Sequence, residues 1–330
     1  MFGHLVEKNV IVILLYNTLS RFAVPCFVML SGAFLLSDNR NGEYKYFYNK
    51  SVKTIILPTL IFTILYFLYS EAIVCAQIVI KGNSISEILL PVKQVIIGAP
   101  FYHMWYMYMI IGLYLLIPLI IQVKSSLGEK IFFRISIVLM LITSVSGWTS
   151  TFDLDWSIAK VICYVGYLMI GYQLRKYNLT KRNNVKAIFL IMLGTIILLG
   201  LTYIQYQPSL MGIVKAVNKY SMVGNFNPLV VMASLLIFAG FSKMNINFHL
   251  RKIAPHTFNI YLIHAGVWDL MRTFVRKTIG EGDARLIIPI CVCVIFLLSW
   301  ILSGVYSQIW NLIEKRYKIN EKICKMLRLE

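Results

Sequence analysis

Nine predominantly apolar runs recur along the whole chain, and this repetition constrains the fold more than any other feature of the sequence. A helix needs roughly 20 mostly apolar residues to cross the hydrocarbon core of a bilayer. The runs that meet or approach this length are 21–37, 54–80, 104–123, 132–148, 159–174, 187–206, 227–242, 256–273 and 286–308. Because a bilayer offers no water to backbone groups, such runs are expected to form helices. The sequence therefore predicts an all-α, polytopic transmembrane helical bundle with about nine spans.

The composition argues for a membrane protein and against a soluble one. Hydrophobic residues make up 58% of the chain and charged residues 14%, and the mean hydropathy is +0.72. Soluble domains have about 45–50% apolar and about 25% charged residues. We expect a single integral-membrane domain over residues 1–330, with no signal peptide needed to explain any part of it. The six cysteines have neither metal-ligand nor disulfide spacing, so they are expected to be packing residues and no metal is expected.

The basic residues alternate along the chain, and this alternation predicts the membrane topology. The net charge of +18 could indicate nucleic-acid binding in a soluble protein, but here the charge lies between apolar runs. The connections 38–53, 124–134, 175–186 and 243–252 and the basic tail 312–330 hold 21 of the 32 Lys and Arg residues. The positive-inside rule places these segments and the C-terminus in the cytoplasm. We therefore expect no nucleic-acid partner.

The start of the chain fits this topology poorly. Nine spans and an inside C-terminus put the N-terminus outside, yet nothing before Arg21 would translocate it efficiently. The simplest expectation is that a further helix precedes Met1, so that the chain is a truncated version of a ten-helix protein. A miscounted span is the alternative. Residues 9–19 are apolar but too short to cross, so they are predicted to form a connecting or interfacial helix.

Three stretches contain polar residues that a plain lipid anchor does not need. The first, SRFAVPCFVMLSG at 20–32, begins with an arginine, continues through a proline and ends in Ser31-Gly32. A cation at the edge of a span is retained when it faces a polar cavity, or it reaches out to the interface. Proline opens the helical hydrogen-bond ladder, and the serine–glycine pair permits close helix approach. The others are HMWYMYMIIGLYLLIP at 103–118 and TFNIYLIH at 257–264.

These three stretches, in this order, resemble the acyltransferase type 3 family of bacterial integral-membrane proteins, and YVGYLMIGYQL at 164–174 is similar to a helix of the same family. The resemblance covers nearly all of the chain. It implies ten helices, a place in the bacterial cytoplasmic membrane, and transfer of an acyl group, usually acetyl, from acyl-coenzyme A. The acceptor would be a hydroxyl or amine of a cell-surface sugar, a polysaccharide or a related molecule. The implied partners are the lipid bilayer, acyl-CoA as co-substrate and a carbohydrate or other hydroxyl acceptor.

The resemblance implies a catalytic histidine near the end of the first helix, with a basic residue eleven positions earlier. No histidine of this chain has such a partner. His4, in FGHLVEKN, is similar to the His-Leu that closes the first helix of the family, and its partner would precede Met1. His4 is therefore the candidate general base. The alternative is a solvated terminal histidine, with the true base upstream.

The substrate-binding candidates are spread over the three motifs. They are Arg21, Ser31, His103, Trp105, Tyr261 and His264. Each has an ordinary structural alternative. Arg21 could reach the interface, Trp105 could belong to an interfacial aromatic belt, and His264 could be a buried histidine bonded to a neighbouring helix. Ser31 could serve helix packing alone.

Two lysines at the start of the 54–80 run are the candidate binding site for the co-substrate. The resemblance implies a basic pair three residues apart at this position, and Lys50 and Lys53 have that spacing. Acyl-CoA carries a pyrophosphate and a 3′-phosphate, which cationic side chains bind. Ordinary positive-inside loading is the alternative. Arg175 and Lys176 are better explained by topology alone.

Two functions are compatible with these features. The first is a membrane-bound acyltransferase that uses acyl-CoA. The second is a transporter or flippase for a sugar or lipid-linked intermediate, because intramembrane His and Arg and a broken helix suit such proteins too. Transporters commonly contain repeated halves, and the sequence shows none. Consumption of labelled acetyl-CoA separates the two.

Overall fold

The computed structural model describes residues 6–81, 89–98, 100–149, 161–179, 182–206, 224–245, 252–279 and 284–329. Every regular element in these ranges is a helix, and none of them contains a strand. The predicted all-α fold is confirmed.

Twelve α-helices follow one another through the described ranges. They are α1 (Val6–Leu19), α2 (Ala23–Leu35), α3 (Tyr44–Ser51), α4 (Leu57–Lys81), α5 (Leu89–Ile96), α6 (Trp105–Thr149), α7 (Val161–Leu179), α8 (Asn184–Tyr206), α9 (Pro228–Lys243), α10 (Thr257–Ile279), α11 (Ala284–Tyr317) and α12 (Ile319–Met326). A π-helical turn, Val52–Ile56, joins α3 to α4, and short 3-10 turns occupy Asn39–Gly42 and Ala254–His256.

Long apolar helices make the chain a multi-pass membrane protein. Five stretches of the described residues are long and apolar enough to cross a bilayer: Val12–Leu35, Tyr44–Ile80, Trp105–Val145, Asn184–Ile204 and Arg285–Tyr317. Pro228–Lys243 is a shorter apolar helix. Each of the nine predicted runs overlaps a helix, so the sequence located the helices correctly.

Two predicted runs, 104–123 and 132–148, lie on the one helix α6. The stretch Trp105–Val145 would be about 60 Å long if straight, which is twice the thickness of a bilayer core. Gly128 interrupts it with the non-helical angles φ 74° and ψ 165°. A residue with a side chain would be strained at this positive φ, and glycine is not. The two runs are thus the two parts of α6 on either side of Gly128.

The segment before the first predicted span is helical, as expected. It forms most of α1, and the chain then leaves the helical path at Ser20–Phe22 before α2 begins. Turn hydrogen bonds from Arg21 N to Thr18 O and from Ala23 N to Ser20 O replace the helical ladder there, both at 3.1 Å. The apolar stretch that could cross a bilayer starts earlier than predicted, at Val12, and runs through this break to Leu35.

The chain groups into two compact units. The first unit comprises Met1–Glu43, Leu115–Leu154 and Ala159–Asn247. The second unit comprises Tyr44–Tyr114, Asp155–Ile158 and Phe248–Glu330. The single integral-membrane domain expected from the sequence stays a prediction.

Glycines bring the helices of the first unit into close contact. A Cβ atom at Gly32 of α2 would lie 1.8 Å from the Leu168 carbonyl oxygen of α7, and one at Gly171 of α7 would lie 2.2 Å from the Met29 carbonyl oxygen. Only glycine tolerates such an approach, because a methyl group would overlap the backbone of the neighbouring helix. The predicted packing role of the Ser31-Gly32 pair is confirmed for Gly32.

The basic connections of the first unit lie at one end of it. The Lys124 amine donates hydrogen bonds to the Leu36 carbonyl and, at 3.3 Å, to Asn39 Oδ1. Lys176 pairs with Glu129 at 2.8 Å. Finally, Asn183 N donates to the Lys243 carbonyl at 3.3 Å. Four connections that the positive-inside rule assigns to one side of the membrane are therefore joined by direct contacts.

In the second unit α4, α10 and α11 pack together, and polar contacts connect them. Tyr66 of α4 donates to the Leu262 carbonyl of α10 at 2.7 Å. His256, just before α10, lies 2.9 Å from the Ser303 hydroxyl of α11. These contacts hold the middle of α4 against the first turns of α10, which is where the polar residues of the third motif lie.

Candidate functional site

Histidine and aromatic side chains of the second unit form one cluster, which we call the histidine–aromatic cluster. It consists of Tyr66 of α4, Phe101, Tyr102 and His103 before α6, Tyr106 at the start of α6, and Tyr261 and His264 of α10. The ring centroids of His103 and His264 are 5.2 Å apart, in an edge-to-face arrangement. Two of the three sequence motifs thus meet here.

A turn and a hydrogen bond from a residue that is distant in sequence fix the position of His103. Met104 N donates to the Phe101 carbonyl at 2.9 Å, which closes the turn just before α6 begins at Trp105. The Tyr261 hydroxyl donates to the His103 carbonyl at 2.6 Å. Because Tyr261 and His264 are three residues apart on α10, both face the same side and reach the same turn.

The hydrogen bond of His264 determines which ring nitrogen is a base. Its Nδ1 lies 2.6 Å from the Tyr261 carbonyl oxygen. A carbonyl oxygen only accepts, so this contact assigns a hydrogen to Nδ1. In the neutral imidazole, Nε2 then carries the lone pair and can accept a hydrogen bond or a proton.

His103 is a buried polar group of the cluster. Its side chain is 7% exposed, and neither ring nitrogen has a well-formed hydrogen bond to a described residue. His103 precedes the spanning stretch that starts at Trp105. Burial lowers the pKa of His103 to about 3, His264 adds to the effect, and the nearby Leu262 carbonyl opposes it. The imidazole is therefore neutral near pH 7 and has unused hydrogen-bonding capacity.

Aromatic faces build one wall of the cluster. Tyr66 stacks on Phe101 with ring centroids 4.5 Å apart. The Tyr66 hydroxyl donates to Leu262 O and accepts from Gly266 N at 3.1 Å. A Cβ atom at Gly266 would lie only 3.2 Å from that hydroxyl oxygen. Glycine therefore lets α4 and α10 approach at the level of the histidines.

An acidic residue lies one helical turn beyond the cluster. Asp269 of α10 is 8% exposed, accepts a hydrogen bond from the Tyr69 hydroxyl at 2.5 Å and pairs with Arg272 at 2.9 Å. Sequence reasoning missed Tyr66, Phe101 and Asp269. A carboxylate inside a predicted span is a signal that could have indicated Asp269, since such charges are costly in a membrane.

The predicted substrate-binding residues fall into two groups. His103, Tyr261 and His264 belong to the cluster. Trp105 contacts Tyr106 with centroids 6.2 Å apart, and Tyr106 in turn lies 5.3 Å from Tyr261, so Trp105 is one ring removed from the histidines.

Arg21 and Ser31 belong to the first unit. Arg21 Nη2 donates to Asn17 Oδ1 at 2.7 Å, while its Nε is buried and has no hydrogen-bond partner in the described ranges. The guanidinium is also close enough to Tyr164 to interact electrostatically with it. The Ser31 hydroxyl donates to the Phe27 carbonyl at 3.1 Å, which is an internal helix contact. The binding roles of both residues stay predictions.

The two candidate phosphate-binding lysines lie in the second unit. Lys50 is in the last turn of α3 and is exposed, and Lys53 is in the π-helical turn. Of the carboxylates that the structure describes, none lies within 4.0 Å of either amine. π-Helical turns occur frequently at functional sites.

His4, the candidate general base, lies outside the described residues. The described part of the chain contains no group of three or more His, Cys, Asp or Glu residues that could hold a metal ion. The six cysteines are all free, and Cys163, Cys291 and Cys324 are buried.

These features define a class: a multi-pass helical membrane protein with two neutral histidines among aromatic rings, and with two lysines on the same unit that no described carboxylate pairs with. The protein-family comparison is specific about the activity. Residues 1–304 match the acyltransferase domain family, the acyltransferase type 3 family that the motifs resemble. The chain belongs to this family and is a membrane acyltransferase. No curated protein and no solved structure matches it.

Proposed function

We propose that the protein moves an acetyl or other short acyl group from acyl-CoA to a hydroxyl of a cell-surface sugar, polysaccharide or related acceptor. We place it in the bacterial cytoplasmic membrane with its C-terminus inside. The observation that carries the proposal is the base nitrogen of His264, held next to the unsatisfied imidazole of His103 among aromatic rings. A hydroxyl is a weak nucleophile until a base takes its proton, and histidine suits this task near neutral pH.

The acyl donor would bind along α4. Its phosphates would be held by Lys50 and Lys53, which no described carboxylate neutralises. Tyr66 lies on the same helical path as Lys53, roughly 20 Å away at 1.5 Å per residue. An extended pantetheine arm has a length of this order. Phosphates at the lysines would therefore bring the thioester to the level of the histidine–aromatic cluster.

The acceptor would bind in the cluster itself. Tyrosine and phenylalanine faces suit the apolar C–H face of a sugar ring, and the tyrosine hydroxyl groups suit its polar edge. His264 Nε2 would accept a hydrogen bond from the reacting hydroxyl, and His103 would hold a neighbouring polar group. Exposed Tyr102 and the nearby Trp105 would line the entrance. Arg21 and Ser31 stay candidate substrate contacts of the first unit.

The transfer balances without any further reactant. A base takes the proton of the hydroxyl, the oxygen attacks the thioester carbon, and the C–S bond breaks. The thiolate of coenzyme A then takes up the proton, so the products are an ester and free CoA. The resemblance implies His4 as the base, and within the second unit His264 Nε2 is a nitrogen that can accept the proton of the hydroxyl.

The test uses the purified protein in lipid nanodiscs with acetyl-CoA labelled in the acetyl group. We expect label to move to an added carbohydrate acceptor, with one free CoA formed for each ester. The variant His256→Gln should transfer label like the wild type, because His256 is bonded to Ser303 and lies outside the cluster. If neither sugars nor polysaccharides take up label while acetyl-CoA stays intact, the proposal is wrong.

One observation favours the alternative of a transporter or flippase for a sugar or lipid-linked intermediate. Arg21 lies at the break between α1 and α2, with a buried and unpartnered Nε, and broken helices with intramembrane cations are typical of transporter sites. Such a protein would move an intermediate across sealed vesicles without consuming acetyl-CoA. Consumption of labelled acetyl-CoA by the nanodisc preparation therefore separates the two functions.

A further inference from the structure

The last helix of the chain lies beyond the residues that match the family. The match ends at residue 304, whereas α12 covers Ile319–Met326. This helix packs against the π-helical turn that carries Lys53. The basic tail predicted from the sequence is thus a folded element of the second unit.

The turn into α12 is built by specific contacts. Lys318 has the left-handed angles φ 49° and ψ 46°, which end α11 and redirect the chain. The Glu314 carboxylate accepts hydrogen bonds from Asn320 N at 3.1 and 3.2 Å, which caps the new helix. Cys324 is fully buried. The position of α12 in the unit is therefore fixed at its start and along its inner face.

The end of α12 returns to the start of the predicted phosphate-binding segment. Leu329 N donates to the Cys324 carbonyl at 2.9 Å and Arg328 N to the Lys325 carbonyl at 3.0 Å, which is the Schellman pattern of a helix end. The Leu329 carbonyl accepts a hydrogen bond from Asn49 Nδ2 at 2.9 Å. Arg328 directly precedes Leu329, and Asn49 directly precedes Lys50. The hydrogen bond between Leu329 and Asn49 therefore brings the two basic segments together.

The cations at this contact differ in their pairing. Lys318 and Lys325 share the Glu321 carboxylate, at 3.7 and 3.2 Å. Arg328 and Lys322 are exposed, and no carboxylate of the described chain pairs with them. Lys322 of α12 and Arg328, which lies just beyond its end, are therefore cations that no described carboxylate pairs with. The same is true of Lys50 and of Lys53, which lies in the turn that α12 packs against.

Arg328 also occupies a backbone position that favours glycine. Its φ is 55°, at the place in the Schellman pattern where glycine is the usual residue. An L-residue there costs stability, so an arginine is expected only where its side chain has a use or where the helix end attracts a cation.

We propose that α12 completes the phosphate-binding site for the acyl donor, with Arg328 joining Lys50 and Lys53 around the phosphates of coenzyme A. This inference rests on the proposed function, and it extends the donor site beyond the part of the chain that matches the family. Arginine adds what the two lysines lack, because its planar guanidinium binds phosphate oxygens in pairs.

The left-handed position allows a sharp test. Arg328→Gly removes the cation and relieves the backbone, so the midpoint of thermal unfolding should rise or stay unchanged. The Kd of 3′,5′-ADP, a probe that carries the 3′-phosphate of coenzyme A, should rise about tenfold, as expected for the loss of one charge-assisted hydrogen bond. The KM for acetyl-CoA should rise with it, while kcat stays within about twofold. Arg328→Lys should recover part of the affinity.

Lys325→Gln is the matched control, because it removes an α12 cation that is already paired with Glu321. It should leave the Kd of 3′,5′-ADP unchanged. If Arg328→Gly binds the probe like the wild type, or if Lys325→Gln weakens binding equally, the inference is wrong.

Anionic lipid headgroups offer the same phosphate chemistry, and a second arm separates them. The measurements are repeated in nanodiscs of phosphatidylcholine alone and with phosphatidylglycerol added. A loss of affinity in Arg328→Gly that is equal in both supports the donor site, whereas an effect confined to the anionic lipid overturns it.

If the wild type binds no 3′,5′-ADP and consumes no acetyl-CoA, the proposed function fails as well. If Lys50→Gln and Lys53→Gln weaken binding and Arg328→Gly does not, only this inference fails.

Discussion

At the scale of single residues, two neutral histidines carry the chemistry that we assign to the second unit. His264 gains its base nitrogen from a local contact, the hydrogen bond of Nδ1 to the Tyr261 carbonyl one turn earlier on α10. His103 is kept neutral by burial, and its ring nitrogens are left without well-formed hydrogen bonds to described residues. The first property depends on spacing along one helix, and the second depends on helices that are distant in sequence.

The burial of His103 predicts a dependence of stability on pH. Its pKa in the folded protein, about 3, is below the value of about 6.5 for an unfolded chain. Below pH 6.5 the unfolded chain therefore binds a proton that the folded one does not, and stability falls as the pH falls toward 3. The free energy lost is up to about 1.4 kcal/mol per pH unit.

Thermal unfolding in detergent at pH 7 and pH 5 measures this effect. From pH 7 to pH 5, the midpoint temperature of thermal unfolding should fall further in the wild type than in His103→Gln, because the glutamine cannot take up the proton. An equal loss in both proteins would show that His103 is not held in its neutral form.

At the scale of helices, the helices of the first unit pack closely at glycines, and the helices of the second unit are joined by polar contacts. Helices α2 and α7 meet at Gly32 and Gly171, and α8 and α9 meet at Gly194 and Gly240. A membrane gives little hydrophobic force between helices, so small residues and close van der Waals contact take its place.

Gly32→Ala should therefore destabilise the protein. The added methyl group would lie 1.8 Å from the Leu168 carbonyl oxygen, so α2 and α7 must separate. Such overpacking costs roughly 1–3 kcal/mol. The measurement is the fraction of protein that stays monodisperse in size-exclusion chromatography after heating.

Gly200→Ala is the control, because no atom of a described residue outside the local backbone of its own helix lies within 4 Å of the position that its Cβ would occupy. It should be neutral or stabilising, since alanine is a better helix former. If Gly32→Ala survives heating as well as Gly200→Ala, the tight contact of α2 and α7 is not important for stability.

The helices were largely predictable from sequence, and the contacts between them only in part. Apolar runs located the helices because the bilayer allows no other exposed backbone. The two runs 104–123 and 132–148 were predicted as separate spans, and the non-helical Gly128 separates them, although the position of that break was not predicted. His103, Tyr261 and His264 were singled out by their motifs, whereas Tyr66 and Phe101 lie in ordinary apolar surroundings and only tertiary packing brings them to the histidines.

At the scale of the whole chain, the segments that the charge pattern assigns to one side of the membrane contact one another within each unit. Lys124, Glu129, Lys176 and Lys243 lie at one end of the first unit, and the tail of the second unit packs beside Lys53. Segments that the positive-inside rule assigns to the same side therefore lie together in both units.

Reporter fusions test this orientation. A green fluorescent protein fused after Glu330 should fluoresce, because it folds in the cytoplasm and not outside. Alkaline phosphatase inserted in the acidic connection 149–158 should be active, because it requires the outside. A dark C-terminal fusion together with an inactive insertion would reverse the topology and would put Lys50 and Lys53 on the wrong side for acyl-CoA.

The most direct test of the central claim is the kinetics of His264→Ala in acyl transfer from acetyl-CoA. We expect kcat to fall about 100-fold, because the reacting hydroxyl loses its hydrogen-bond acceptor, while the KM for acetyl-CoA stays within about twofold. His256→Gln should turn over like the wild type. A His264→Ala protein that keeps the wild-type kcat would contradict the assignment of the histidine–aromatic cluster as the site of transfer.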